Sequence, residues 1–290
     1  MLNPKVFIVT DSAADLIPSE RMSNEIRVVP LTIFFDEQTY LDGETIQATG
    51  FYQQWKKSDI DPTTSPPSPD QFYHVYREIL DKHPDSRILS IHLSENLSNT
   101  LRSAKLAKSM FSKNDRIQLY NSKSASFGFG RLVLKAAAMA KSGSTIEEIV
   151  KSLDRVREKQ RFFLLVDSLD HLHRGGRIGS ASVVIGSIFN MKPILTVDDD
   201  GKIAQFDKGN GRKGAIKKLI QSLLNTFGTR KITLTIMHAE GLEFAELIDE
   251  LCCAKLTIDH VSYRLVSPAI ATHVGIGAVA ILARCEDDFK

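Results

Sequence analysis

The chain is short of cysteine, of long apolar runs and of charge of one sign. Its three cysteines, Cys252, Cys253 and Cys285, are odd in number, two are adjacent, and all lie in the last quarter of the 290 residues. No disulfide framework or metal-ligand spacing follows, and a reducing compartment is the simpler expectation. No stretch approaches the ~18 uninterrupted apolar residues of a membrane span. The opening MLNPKVFIVTDSAADL has only VFIVT between its first charge and Asp11, which is not the apolar run of a signal peptide. A cytoplasmic protein with no stable membrane insertion is expected. Lys plus Arg is 37 against 35 for Asp plus Glu, a net charge of +2, so composition gives no general reason to expect a nucleic-acid or membrane-surface partner. The phosphate-binding P-loop signature and the GxSxG nucleophile elbow are both missing, which argues against ATP binding through a P-loop and against an elbow hydrolase.

What is present is an ordinary globular mixture, 42% hydrophobic and 25% charged, able to bury a sizeable core. At ~150 residues per domain the length implies two domains. In the first half, short β-branched runs alternate with helical patterns: KVFIVT from Lys5, IRVVPLTIFF over Ile26–Phe35 with Pro30 marking an edge or bend, SRILSIHL from Ser86 and RIQLY from Arg116. Between them, Phe72, Val75, Tyr76, Ile79 and Leu80 form one helical stripe. Ser68, Pro69 and Gln71 mark its start as a capping box. A second helix is expected from Ser144, with Glu147 three residues on. After Gln160 the pattern changes to RFFLLV, a strand–turn–strand hairpin over Lys192–Asp207, and a helix carrying Ala215, Ile216, Leu219, Ile220, Leu223 and Leu224. The strands ITLTIMH, HVSYRLV and GAVAILA follow, with a helix carrying Phe244, Leu247, Ile248 and Leu251 after the first. The expectation is α/β with a mainly parallel, helix-flanked N-terminal sheet over residues 1–160 and a mixed-sheet α/β domain over residues 161–290.

Four loops at strand ends are dense in hydroxyls: Thr10-Asp11-Ser12, Thr63 to Ser68, Ser94 with Ser98-Asn99-Thr100, and Asn121 to Ser124. Ligands of open parallel sheets bind outside the carboxyl ends of the strands, where helix N-termini favour anions. A small anionic group held by neutral donors is one reading, and plain helix capping is the other. Ser68 is assigned to capping. His273, placed on a glycine-flanked loop before the last strand, either approaches a ligand or is a packed loop histidine. His171 and His173 have no carboxylate or cysteine at ligand spacing, so no metal is expected. Arg174-Gly-Gly-Arg177 suits a phosphate or a partner's carboxylates, or is a solvated connection. Gly209 to Gly214 matches GxGxxG formally, but the strand before it belongs to a hairpin and no ribose-binding acid stands ~20 residues on.

In their order these segments resemble the DegV family, bacterial fatty-acid-binding proteins that act as substrate-binding subunits of fatty acid kinase. The resemblance runs through VTDSAADL, TTSPPSP (for TSQPS), SIHLSENLSNT (for SxxLSGT), NSKSASFGFG, LHRGGRIG, KPIL and SPAIATHVGIGAVA. It implies a two-domain fold enclosing one long-chain fatty acid, with no other cofactor. It implies a carboxylate held by Thr64, Ser98 and His273; the hydroxyl-rich loops put Asp11, Ser12, Ser65, Asn99 and Thr100 near the head group. Arg177 is implied to work with the separate kinase, which makes the acyl phosphate, so this chain itself has no catalytic residue; Arg174, on the same turn, is expected to join that partner contact. Two positions depart from the pattern. Pro66 replaces Gln, removing an N–H and stiffening the loop, and Asn99 replaces Gly, a residue that tolerates left-handed backbone. A serine hydrolase using Ser98 and His273, with Asp11 as third member, is the alternative, and a nucleotide-binding regulator built on Gly209–Gly214 ranks last.

Overall fold

The computed structural model of the chain describes residues 4–112, 114–184 and 191–285. Its strands, in chain order, are β1 (Val6–Asp11), β2 (Arg27–Val29), β3 (Thr32–Phe35), β4 (Gln38–Leu41), β5 (Thr63–Ser65), β6 (Arg87–His92) and β7 (Ile117–Asn121). They continue with β8 (Arg161–Leu165), β9 (Met191–Val197), β10 (Ile203–Asn210), β11 (Ile232–His238), β12 (Ile258–Leu265) and β13 (Val279–Arg284). They form three sheets: parallel β2-β1-β6-β7, mixed β10-β9-β8-β13-β11-β12 and antiparallel β4-β3-β5.

The parallel sheet is covered on both faces. Val6 and Ile8 pack toward the helices Phe127–Lys141 and Ile146–Lys159. Val9, one position out of phase, packs with Phe72, Tyr76 and Ile79 of the helix Pro69–Lys82 and with Ala104 and Ala107 of Thr100–Ser109. This two-sided burial explains the unbroken apolar runs. The Ser68–Gln71 capping box forms as expected, with Pro69 in the first turn. The next expected cap is off by one: Thr145 and Glu148 close that box, not Ser144 and Glu147.

The mixed sheet is also two-sided. Phe163 and Leu165 of β8 and Val279, Ile281 and Ala283 of β13 face Ile216, Leu219, Phe244 and Ile248 of the helices Gly211–Phe227 and Leu242–Cys253. The alternate residues Leu164, Ala280 and Leu282 face the other way, toward Phe51, Tyr52 and Trp55 of the helix Ala48–Trp55 and toward the small sheet. The β9–β10 hairpin is antiparallel as expected.

Two expectations need correction. Ile26–Phe35 is not one strand. Pro30 has no N–H to give a ladder, so β2 stays in the parallel sheet while β3 turns into the small antiparallel one. Residues 63–65 are not a loop either: β5 pairs with β3, placing Thr64 opposite Ile33.

A cavity with one polar end

Between the carboxyl edge of the parallel sheet and the inner face of the mixed sheet lies a cavity walled by Leu31, Leu93, Phe162, Leu164, Ile203 and Val266, among other apolar side chains. Thr64, Ser98, Ser126, Arg177 and His273 are its polar lining. The space between the walls is a slot of about 850 Å³, part of it open to solvent.

Three distant stretches of chain supply the polar end. Thr64 is held by its strand pairing. Ser98 follows β6, its N–H donating to the Ser94 carbonyl at 3.1 Å and its hydroxyl 2.9 Å from that of Thr100. His273 sits near the end of the helix Pro268–Val274, which corrects the loop expected there. Its Nε2 lies 2.7 Å from Thr64 Oγ1. Its Nδ1 is buried without a partner. A Cβ on Gly175 would stand 2.6 Å from that nitrogen, so only glycine lets the GGR turn approach so closely. Burial, then the charges of Arg177 and His171, push the imidazole down to about 4, leaving it neutral at pH 7.

Arg177 is also in the wall. Its Nε donates to the Leu97 carbonyl at 3.1 Å and Nη1 donates to the Gly175 carbonyl. The family resemblance implied only an outward role for it. Arg174 is absent from this wall: it pairs with Asp61 and lines an adjoining polar cavity that shares Thr64, Arg177 and His273 and adds His171.

The other residues expected near a head group do not line the cavity. Asp11 is fully buried and accepts from the N–H groups of Ala13 and Leu93, both at 3.2 Å, while His92 Nδ1 lies 2.9 Å away. Ser12 accepts from the Leu31 N–H at 3.0 Å. Thr100 is buried against Ser98, Asn99 is exposed, and neither they nor Ser65 line the cavity. Asn99 has φ −75°, so its tolerance of left-handed backbone is not used. Pro66 does line the cavity, beside Thr64.

The hydrolytic arrangement does not form. The acid–imidazole–hydroxyl chain that does exist is Asp11–His92–Ser90, extended by the Tyr76 hydroxyl at 2.8 Å from Ser90 Oγ, and every member is fully buried. Among the described hydrogen bonds none joins Ser98 to His273, so the hydroxyl lacks the base a nucleophile needs. Gly209 serves packing: a Cβ there would stand 2.1 Å from the Ala215 nitrogen. Among the described residues no group of His, Cys, Asp or Glu is arranged to hold a metal, and no helix is long and apolar enough to cross a membrane.

Fold and site thus define an α/β protein built around a narrow apolar cavity whose polar end is lined by neutral donors and one arginine. Residues 5–286 match the model of the family described as "Uncharacterised protein, DegV family", and the chain belongs to that family. It is 36% identical over 280 residues to a DegV domain-containing protein of Caldanaerobacter subterraneus, covering 96% of this chain and 98% of the relative. A Thermus thermophilus DegV family structure, described as showing fatty acid binding, superposes with TM-score 0.88 at 30% identity, covering 97% of this chain and 99% of that one. DegV of Bacillus subtilis, described as a fatty acid binding protein, gives TM-score 0.83 at 33% identity over 98% and 100% of the two chains.

Proposed function

We propose that this chain binds a long-chain fatty acid in the cavity and presents its carboxylate to a separate ATP-dependent kinase. The observation that carries the reading is the convergence of Thr64, Ser98, His273 and Arg177, from four separate parts of the sequence, on one mostly apolar cavity. The fatty-acid binding named for the Thermus thermophilus and Bacillus subtilis relatives supports it. Burying about a dozen methylenes contributes roughly 10 kcal/mol at ~0.8 per CH₂, against ~4–15 kcal/mol lost on association. Each hydrogen bond to the carboxylate adds ~1.5–3 kcal/mol. The tail therefore dominates affinity and the polar end sets orientation.

Donors from Thr64, Ser98 and neutral His273 leave the carboxylate nucleophilic, whereas a bidentate arginine pair would compete for its lone pairs. Arg177 is already engaged by two carbonyls, which tempers its grip. In the kinase step a carboxylate oxygen attacks the γ-phosphorus of ATP. The new P–O bond forms as the bond to the β-phosphate bridge breaks, and ADP leaves. This chain supplies no acid or base to that step. The two halves of the chain act as separate α/β bodies clasping the ligand, with the GGR turn facing the kinase and the system working in the cytoplasm.

The test is reconstitution with a fatty acid kinase subunit, ATP and palmitate. Acyl phosphate is expected only when this chain is present. Thr64→Ala, Ser98→Ala and His273→Ala should impair its formation more than they impair palmitate binding. Acyl phosphate formed equally well without this chain would refute the reading. So would tail affinity collapsing in the three variants while phosphorylation per bound lipid stays normal.

A further inference from the structure

The helix Pro268–Val274 forms cavity wall through Ala269, Ile270, His273 and Val274. Seven residues do not hold a helix by themselves, so its position depends on what grips its ends. At the C-terminal end His273 meets Thr64. At the N-terminal end nothing from the helix itself does the work: the Ser267 hydroxyl makes no cap bond and is buried without a partner, and Pro268 has no N–H.

The grip comes from residues near the start of the chain, Asp15, Asp42 and Tyr52. Asp15, buried, accepts the Ser267 N–H on Oδ1 at 3.1 Å and the Ser126 hydroxyl on Oδ2. Asp42 is 1% exposed, and neither of its carboxyl oxygens closes a hydrogen bond. With Asp15 it lines a cleft against Ser267 and Pro268, where the helix begins. Two carboxyl groups thus face the positive end of one short helix dipole. Burial still raises Asp15 to about 6 and Asp42 to about 7. Buried acids held at such cost are weak contributors to stability, and their geometry is specific to this helix. Tyr52 adds a third hold, donating to the Val266 carbonyl at 2.9 Å just before the helix.

We infer that Asp15 and Asp42 are positioning residues: they fix the N-terminal end of the Pro268–Val274 helix and so aim His273 at the polar end of the cavity. The lever is short. Ala269 and His273 are four residues apart, about 6 Å at 1.5 Å per residue, so a tilt at one end carries directly to the imidazole. The inference rests on the cavity being the proposed ligand site, although its first readout does not.

The test uses the full chain with ¹⁵N-labelled histidine, followed by NMR first without ligand and then with [1-¹³C]palmitate. Asp15→Ala, Asp42→Ala and Ser267→Pro are expected to shift the His273 imidazole resonances, and then the bound carboxyl resonance, while palmitate affinity stays within about threefold. Asp15→Asn should restore both signals, because its amide oxygen still accepts the Ser267 N–H. Ser267 has φ −64°, which proline also adopts. Ser267→Pro therefore keeps the backbone while removing the N–H and a hydroxyl that has no partner, and it carries the test if the alanine variants do not fold. Wild-type His273 and carboxyl signals in every folded variant, with only the melting temperature lowered, would overturn the inference. If palmitate's carboxyl signal is unshifted by the wild-type chain, the ligand reading fails, while the imidazole comparison still decides the positioning role.

Discussion

Burial pushes His273 toward its neutral form, and a carboxylate beside it favours the charged form. Below neutrality binding therefore takes up protons, while at pH 7 the buried imidazole stays the neutral donor. Calorimetric titration of palmitate at pH 6 in buffers of different ionisation enthalpy should reveal that uptake, and His273→Gln should abolish it. Identical enthalpies in all buffers would contradict this account of the site. Asp42 carries the opposite sign in folding. With its folded value near 7 against an ordinary 3.8, the native chain keeps a proton that the unfolded chain releases. Its contribution falls away as pH rises from about 4 to about 7, by at most about 4 kcal/mol. Asp15 acts likewise up to about 6. His273 opposes both, since its lowered value costs stability as pH falls from 6.5 toward 4. Asp42→Asn should flatten the fall in urea midpoint between pH 5 and pH 8, and an unchanged pH dependence would contradict that assignment. Thr64, Ser98 and His273 were readable because rare motifs flagged them. Asp15 and Asp42 were not, because a buried acid that holds a helix from ~250 residues away leaves no local spacing.

At the scale of elements, the strands were legible wherever two-sided burial leaves an unbroken β-branched run, as in β1 and β13. The helices were legible where a long stripe meets a capping box, as in Pro69–Lys82. Short elements were not. The helix Ala48–Trp55 buries only Phe51, Tyr52 and Trp55 in eight residues, too few to show a period. β5 is three residues whose strand character comes from pairing with β3 rather than from its own Thr-Thr-Ser sequence. The same tertiary override makes a helix of Pro268–Val274, whose neighbouring glycines resemble a loop. Gly209 supplies a prediction at this scale. A methyl group 2.1 Å from the Ala215 nitrogen forces β10 from the helix Gly211–Phe227. Gly209→Ala should therefore lose about 1–3 kcal/mol, read as a lower urea midpoint, and an unchanged midpoint would show that the strand–helix contact is not tight.

For the whole molecule, the relevant fact is where the two larger sheets leave space. One face of β8 and β13 belongs to a closed core with two helices. The other faces the cavity through Phe162, Leu164 and Ala280, with Ala278 just before β13. The short side chains of Ala278 and Ala280 make the slot, and no sequence period distinguishes a strand that faces a cavity from one that faces a packed core. The most direct test is denaturing extraction and mass spectrometry of the purified wild-type chain beside Ala280→Trp, whose indole fills the slot while Thr64, Ser98 and His273 stay in place. The account predicts one long-chain fatty acid per wild-type chain and none in the folded Ala280→Trp protein. A wild-type chain free of lipid, or a variant carrying as much as the wild type, would contradict it.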